Sequence, residues 1–308
     1  MTAVGITTCL TRVLRTLTLP EYLSPHLALK IAIDIDILAF NPYHVLGYIL
    51  LLFKVSIMCG ICGCGQNNSE HTHHHQQQHT HGETERLVKV EQDLLSKNNR
   101  YAEQNRQYFQ QHGIFTLNFV SSPGSGKTTL LVETIKKLQQ QLPIAVIEGD
   151  QQTTHDADRI RATGASALQI NTGKACHLDA HSIGHAVMDL KVADSSFLAI
   201  ENVGNLVCPS GFDLGEAHKV VVLSVTEGDD KPLKYSDMFH AADLMIINKI
   251  DLLPYVDFDV ERCINYAKQV NPNIEILQIS ATKGDSFDTW VDWLSMHILA
   301  QQPVMEQA

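Results

Sequence analysis

The sequence predicts an α/β fold: a mostly parallel sheet with helices on both faces, behind a disordered N-terminal segment rich in cysteine and histidine. Three observations predict it. From Ile114 onward, short apolar runs alternate with helical patterns, which is how strands joined by crossover helices read. The first run, Ile114–Val120, leads into the glycine-rich stretch Ser121-Ser122-Pro123-Gly124-Ser125-Gly126-Lys127-Thr128-Thr129, and a helical pattern from Thr129 to Gln140 follows. Ahead of residue 113 the alternation is missing.

The chain has 308 residues and a formal net charge of -11. Such a balance gives no support to a nucleic-acid or anionic-membrane partner, and neither is expected. Residues 1–57 carry few charges and no recognisable chemistry. Their longest apolar stretch, Val45–Phe53, falls short of the ~18 residues a membrane span needs. They read as an upstream extension to a protein whose own start is Met58, with a membrane anchor or a real extra segment as the alternatives.

Residues 58–82 read as a Cys/His-rich metal-binding tail. Cys59, Cys62 and Cys64 sit on a glycine-rich tether that brings three thiolates to one ion without a fold to organise them, and thiolates suit Ni²⁺, Zn²⁺ or Cu⁺. Six of the sixteen histidines lie between His71 and His81; neutral imidazoles bind the same borderline metals. The seven cysteines form no disulfide framework, which points to a reducing, cytoplasmic setting. Residues 83–112 read as a long polar helix. Leu87, Val90, Leu94, Leu95, Tyr101 and Tyr108 give it a broken apolar stripe, and Gly113 stops it. Residues 113–302 then form one domain. Its strands are expected at Ile114–Val120, Pro143–Ile147, Ala167–Ile170, Phe197–Ile200, Lys219–Val225, Leu244–Ile247 and Ile274–Ile279, with a last helix from Phe287 to Ala300.

The glycine-rich stretch is a phosphate-binding loop. Gly124, Ser125 and Gly126 let backbone N–H groups close round phosphates at a helix N-terminus, where the helix dipole adds attraction. Lys127 reaches the β/γ-phosphates, and Thr128 offers its hydroxyl to Mg²⁺, with Thr129 beside it. The pattern departs at one position, where Ser121 replaces the usual first glycine. Asn248-Lys249-Ile250-Asp251 reads guanine. The Asp251 carboxylate accepts from guanine N1–H and the 2-amino group, which adenine cannot offer, and a site built to pair polar groups rejects the unpaired analogue strongly. Asn248 braces the base loop, the stem of Lys249 covers the base, and Ser280-Ala281-Thr282 supplies a backbone N–H to guanine O6. Asp150 and Glu201, each at a strand end, are expected to hold Mg²⁺ directly or through water, and Gly204 to donate to the γ-phosphate. Asp156 is a weaker acidic candidate.

A second metal constellation is Cys176, His177 and Cys208. Cys176 and His177 adjoin at the start of a helical pattern, and Cys208 follows Glu201-Asn202-Val203-Gly204, so loss of a γ-phosphate is placed to move it. His181 and His185 continue the face of His177 and read as solvated. Cys263 reads as packing; Lys231 and Lys234 are placed to face a phosphate across a dimer but are not taken as site residues.

These residues resemble the HypB-type hydrogenase maturation GTPases, nickel-incorporation proteins with a SIMIBI-class P-loop NTPase fold. The resemblance runs from Cys59 to about Ala300. It rests on Cys59-Gly60-Ile61-Cys62-Gly63-Cys64, the histidine tract, the phosphate loop (whose Ser121 is no departure there), Glu148-Gly149-Asp150, Gly173-Lys174-Ala175-Cys176-His177-Leu178, Glu201 to Pro209 and Asn248-Lys249-Ile250-Asp251. It implies GTP hydrolysis to GDP, a GTP-dependent homodimer, a tight nickel site at Cys59, Cys62 and Cys64, and a weaker Ni²⁺ or Zn²⁺ site at Cys176, His177 and Cys208; because no arginine finger or water-orienting glutamine can be picked out in the sequence, intrinsic turnover is expected to be slow. The implied partners are a HypA-type nickel- and zinc-binding maturation protein and the large subunit of a [NiFe] hydrogenase. Two other functions compete: a nickel store in which the histidine tract does the work, and a urease-type maturation GTPase, from which a single Cys-Pro-His metal motif is expected instead of the separated Cys176-His177 and Cys208.

Overall fold

The computed structural model describes residues 80–150, 155–173 and 175–301, with side chains from residue 92. The expectations for residues 1–57, for Cys59, Cys62 and Cys64, and for His71, His73, His74, His75 and His79 lie outside these; of His81 only the backbone is described.

Seven strands form one sheet: β1 (Phe115–Ser121), β2 (Ile144–Asp150), β3 (Ser166–Asn171), β4 (Phe197–Gly204), β5 (His218–Ser224), β6 (Leu244–Asn248) and β7 (Glu275–Gln278). Their order is β3-β2-β4-β1-β5-β6-β7, and each described pairing is parallel. The central strands read as continuous apolar runs because both faces are covered. All residues of β1 are buried. Phe115, Leu117 and Phe119 face one core, shared with α2 (Lys127–Leu138) and the C-terminal helix, whose Trp290 meets the Phe119 ring edge-on at 6.0 Å. Val120 faces the other side, where Met238, Phe239, Cys263 and Ala267 pack over β5 and β6. Chain connections leave β1 toward β2 and β3, return through β4, and continue to β5 on the far side. The crevice at the strands' C-terminal ends, where that direction reverses, is where such sheets bind ligands.

Helix α1 (Thr80–Gln111) is longer at its start than expected, and Gly113 follows it at φ +63°. Its buried stripe is not the apolar one. Leu94 is exposed, while Asn98, Ala102, Asn105 and Phe109 are buried. The reason is hydrogen bonding to chain far away. Asn98 Nδ2 donates to Asp213 O (2.7 Å) and Asn98 Oδ1 accepts from Ala180 N–H (2.9 Å). Asn105 Nδ2 donates to Ala180 O (2.7 Å) and Leu214 O (3.0 Å). A buried amide so paired costs little to desolvate. Helix α1 thus clamps the start of α4 (Ala180–Leu190), the helix that follows α3 (His155–Arg161), to the chain before β5. Cys263 is fully buried, as packing requires, and its thiol is pushed up to about 12 by burial. Among the described residues no helix is long and apolar enough to cross a membrane.

Candidate functional site

The phosphate loop turns through two left-handed glycines, Gly124 at φ +78° and Gly126 at φ +100°, and Gly126 caps α2. Gly126 is also required by closeness: a Cβ there would lie 2.6 Å from Asn248 Nδ2. Asn248 Nδ2 donates to Ser125 O (3.0 Å) and Lys249 Nζ to Gly124 O (2.6 Å). The Asn248–Asp251 segment at the end of β6 is therefore hydrogen-bonded to the phosphate loop. Asn248 Oδ1 accepts from Ala281 N–H (3.1 Å), and Ser280 Oγ donates to Asp251 Oδ1 (2.6 Å). All of Asn248, Lys249, Asp251, Ser280 and Ala281 thus meet at one end of the sheet, and of the Ser280-Ala281-Thr282 loop the Ala281 N–H is bonded to Asn248.

Lys127 Nζ donates to Ser121 Oγ (2.8 Å). A serine at the loop's first position thus gives the buried ammonium a partner that glycine could not. Burial lowers the Lys127 pKa, opposed by the charges of Glu201, Asp156, Glu148 and Glu227. Thr128 Oγ1 donates to Glu201 Oε1 (2.8 Å) on β4. Glu201 Oε2 and Glu148 Oε2, on paired strand positions, are buried without a hydrogen-bond partner. Burial raises the pKa of Glu201. Burial, followed by the charges of Glu201, Asp150 and Asp156, pushes Glu148 up to about 8. Asp150 ends β2 and its backbone carbonyl accepts from Thr172 N–H (3.0 Å). Asp156 pairs with Arg159 (3.3 Å), whose Nη2 donates to Thr129 Oγ1 (3.0 Å). Buried carboxylate oxygens beside a loop threonine suit a hard divalent cation.

Three residues at this end were not singled out from the sequence as site residues. Glu148 is one. Glu227 and Lys231 are the others: Lys231 Nζ donates to Ser122 Oγ and Glu227 Oε2, and Ser125 Oγ donates to Glu227 Oε1 (2.7 Å). Burial alone would raise Glu227, but hydrogen bonds from Lys231, Ser125 and Ser224 hold it below its ordinary value. The signal was the i,i+4 pairing of Glu227 with Lys231 just after a strand. Lys234 pairs with Asp230 (2.7 Å) at the surface.

The metal candidates come together. One ligand atom from each of Cys176, His177 and Cys208 lies within 4.8 Å of the others, all half-buried. Cys176 Sγ is 3.7 Å from His177 Nδ1, and the imidazole packs 3.9 Å from the Phe212 ring. Burial lowers the His177 pKa and so favours the neutral, ligating form; the charge of Asp179 partly offsets this. The Asp179 side chain accepts from Ser182 N–H and starts α4 at Ala180. His177 therefore sits in the preceding loop, not on the helical face of His181 and His185 as expected.

Buried polar groups hold the two loops that carry these residues. Asn202 Oδ1 accepts from Leu178 N–H (3.1 Å) and Asn205 Nδ2 donates to Cys176 O (3.4 Å). Asn202 Nδ2 donates to Asn118 Oδ1 (3.3 Å), and Asn118 Nδ2 to Glu216 Oε1 (3.0 Å). Lys219 Nζ, 3.8 Å from Glu216 Oε1, donates to the carbonyls of Pro209, Ser210 and Phe212 at 3.1–3.3 Å. It thereby fixes the 3₁₀ turn Cys208–Gly211. Gly204 links this group to the phosphate loop, since a Cβ there would lie 3.0 Å from Pro123 Cγ.

Residues 115–278 match the family model described as "CobW/HypB/UreG, nucleotide-binding domain". A hydrogenase maturation factor HypB of Azotobacter vinelandii is 63% identical over 209 residues, covering 68% of this chain and 69% of that protein. The one from Escherichia coli strain K12 is 58% identical over 230 residues, covering 74% and 79%. Among solved structures, HypB from Helicobacter pylori in complex with nickel superposes with a TM-score of 0.62 at 40% identity, covering 69% of this chain and all (100%) of that one. The seven-stranded parallel sheet with its phosphate loop, together with these likenesses, shows that the chain belongs to the HypB family of hydrogenase maturation factors.

Proposed function

We propose that the chain is a GTP-hydrolysing nickel metallochaperone that delivers Ni²⁺ during maturation of a [NiFe] hydrogenase. The observation that carries this reading is the segment from Glu201 to Cys208. At one end Glu201 accepts from Thr128 on the phosphate loop (2.8 Å), and Gly204 packs on Pro123. At the other end Asn205 holds the Cys176 carbonyl and Cys208 offers its thiol beside Cys176 and His177. One short piece of chain touches both sites, so a change in phosphate occupancy is felt where the metal would bind. The names of the relatives, and the nickel in the H. pylori structure, support the same reading.

In it, Gly124, Ser125, Gly126, Lys127, Thr128 and Thr129 bind the phosphates, with Gly204 donating to the γ-phosphate. Asn248, Lys249, Asp251, Ser280 and Ala281 read guanine. Lys127, Asp150 and Glu201 serve hydrolysis, and Thr128 with Asp150 holds Mg²⁺, which neutralises charge between the β- and γ-phosphates. The orphaned oxygens of Glu148 and Glu201 are suited to the same ion. With no arginine or glutamine identified as a transition-state stabiliser, intrinsic turnover is expected to be slow, below about 1 s⁻¹ without a partner. Cys176, His177 and Cys208 take Ni²⁺ or Zn²⁺ as cargo, and Cys59, Cys62 and Cys64 hold nickel more tightly. A homodimer formed with GTP, in the cytoplasm, hands metal between a HypA-type protein and the hydrogenase large subunit.

Nickel titration against a chelator tests this, first with GDP and then with a non-hydrolysable GTP analogue. Gated delivery predicts a nucleotide-dependent affinity that disappears in Cys208→Ala. Many ions bound regardless of nucleotide, most of them lost with residues 71–81, would make the chain a nickel store instead.

A further inference from the structure

We propose that Arg159 is a phosphate-binding residue, whose guanidinium clamps the α-phosphate of a guanine nucleotide seated in the phosphate loop. This rests on the reading of that loop as a GTP and GDP site. It adds a cation from outside the loop, on a helix to which no role has been given.

Helix α3 lies in the crossover from β2 to β3 and packs against α2. Arg159 is its link to the loop. Its Nη2 donates to Thr129 Oγ1 (3.0 Å), and its Nη1 donates to Asp156 Oδ1 (3.3 Å), one turn back on the same helix. Asp156 thus aims the side chain, and Thr129 marks where it ends. A guanidinium carries more N–H donors than these two contacts use, so it can also serve a ligand oxygen. The side chain is half-buried, neither sealed in the core nor free in solvent.

Thr129 tells which phosphate lies nearest. In a phosphate loop the lysine and the threonine after it serve the β/γ end, where Mg²⁺ bridges, and backbone N–H groups cradle the α- and β-phosphates. Here Thr128 Oγ1 donates to Glu201 Oε1 (2.8 Å), which marks the Mg²⁺ end. Thr129 is one residue further on, and its hydroxyl is turned to α3 instead of β4. Its N–H is among the first of α2, which find no carbonyl within the helix and are left for an anion. A guanidinium at hydrogen-bond distance from Thr129 therefore reaches an oxygen of the phosphate held on the side away from Mg²⁺.

Charge favours the same contact. Phosphates enter an end of the sheet that already holds Glu148, Asp150, Asp156 and Glu201. Lys127 and Mg²⁺ answer the β- and γ-phosphates, and the α-phosphate needs a cation of its own. Arg159 already acts on this group: burial raises the Glu201 pKa, and Arg159 is among the charges that oppose the rise. The planar fork of an arginine matches phosphate oxygens and keeps its charge at any working pH. GDP and GTP share the α-phosphate, and no bond to it breaks in hydrolysis. The contact therefore holds ground state and transition state alike, lowering KM without raising kcat, in keeping with slow unaided turnover.

Isothermal titration of the full chain with GDP and Mg²⁺ gives the first test. Arg159→Ala should weaken GDP roughly 10- to 100-fold, the loss of a charge-assisted hydrogen bond, and should weaken a non-hydrolysable GTP analogue by the same factor. Arg159→Lys keeps the charge without the fork and should recover part of the loss. In steady-state GTP hydrolysis KM should rise by that factor with kcat within about twofold. Phosphorus NMR of bound GDP separates direct contact from a merely structural effect: in Arg159→Ala and in Arg159→Lys the α resonance should move and the β resonance stay. Both resonances moving together, or neither moving, overturns the clamp. So does a fall in kcat at unchanged KM, which would put the guanidinium at the γ-phosphate. If the unmutated chain binds GDP and Arg159→Ala binds it as tightly, the clamp alone fails; if the unmutated chain binds no GDP, the nucleotide-site reading fails with it.

Discussion

The phosphate loop and the cysteine–histidine group meet along the same segment, from Glu201 in β4 to Cys208 beyond it, but are built in different ways. The phosphate loop is nearly self-contained: contiguous residues, two left-handed glycines and a helix N-terminus already make an anion cradle. Its long-range ties, from Asn248 and Lys249, brace it from outside. The cysteine–histidine group has no such local code. Its residues come from two separate loops, and those loops are fixed by a buried polar chain through Asn202, Asn118, Glu216 and Lys219. One site is specified by backbone conformation, the other by satisfied buried side chains. Perturbations should therefore separate them.

The largest effect is expected where a charge is buried. Lys219 and Glu216 are both almost inaccessible, and removing one member of such a pair leaves the other unpaired, typically at about 3–5 kcal/mol. Lys219→Met should lower unfolding stability in urea by about that much and weaken nickel at the Cys176 group, because the carbonyls of Pro209, Ser210 and Phe212 lose their shared donor. GDP affinity of the folded protein should hardly change. Adding Glu216→Gln should restore part of the stability. Nickel affinity equal to that of the unmutated chain would break the comparison, since the turn would then hold its shape without the lysine.

Gly126→Ala is the mirror experiment. The left-handed φ costs an alanine about 1–2 kcal/mol, and its Cβ would press on Asn248 Nδ2. Nucleotide affinity should fall roughly 10- to 100-fold, one to two steps of 1.4 kcal/mol each. Isothermal titration with GDP reads this directly, and nickel affinity without nucleotide should stay as it was. A parallel loss of nickel affinity would mean that the phosphate loop also shapes the metal group through Pro123 and Gly204.

The same contrast explains what the sequence reveals. All seven strands are legible as apolar runs, because a parallel sheet covered on both faces has no need of alternation. The phosphate loop and the Asn248–Asp251 segment are legible because their chemistry is contiguous. Cys176, His177 and Cys208 are legible as ligand types, but the sequence does not show what brings them together. Asn98 and Asn105 read as surface residues on a polar helix. Their burial makes sense only once Ala180, Asp213 and Leu214, 75 to 115 residues away, supply partners. Glu216 and Asn118 are hidden for the same reason. Lys231 looks like a spare cation until the fold places it against Ser122 and Glu227.

The smallest effect sharpens the comparison by acting at the phosphate end through charge alone. Burial, and then the neighbouring carboxylates Glu201, Asp150 and Asp156, raise Glu148 from its ordinary 4.5 to about 8. A carboxyl whose folded-state pKa exceeds its unfolded value holds its proton more firmly when folded. Its favourable contribution is fully present below the unfolded pKa and is lost as pH rises through the folded one. The nucleotide-free protein should therefore lose stability between about pH 4.5 and pH 8 from this group, opposite to the usual carboxylate trend. Melting temperatures across that range should fall less steeply in Glu148→Gln, whose amide cannot ionise. Lys219→Met should leave the slope contributed by Glu148 in place, because Lys219 belongs to the metal-side chain of contacts and is not among the groups that shift Glu148. An unchanged slope in Glu148→Gln would mean that Glu148 meets solvent or a cation when folded and is no longer the proton-holding group at this end of the sheet.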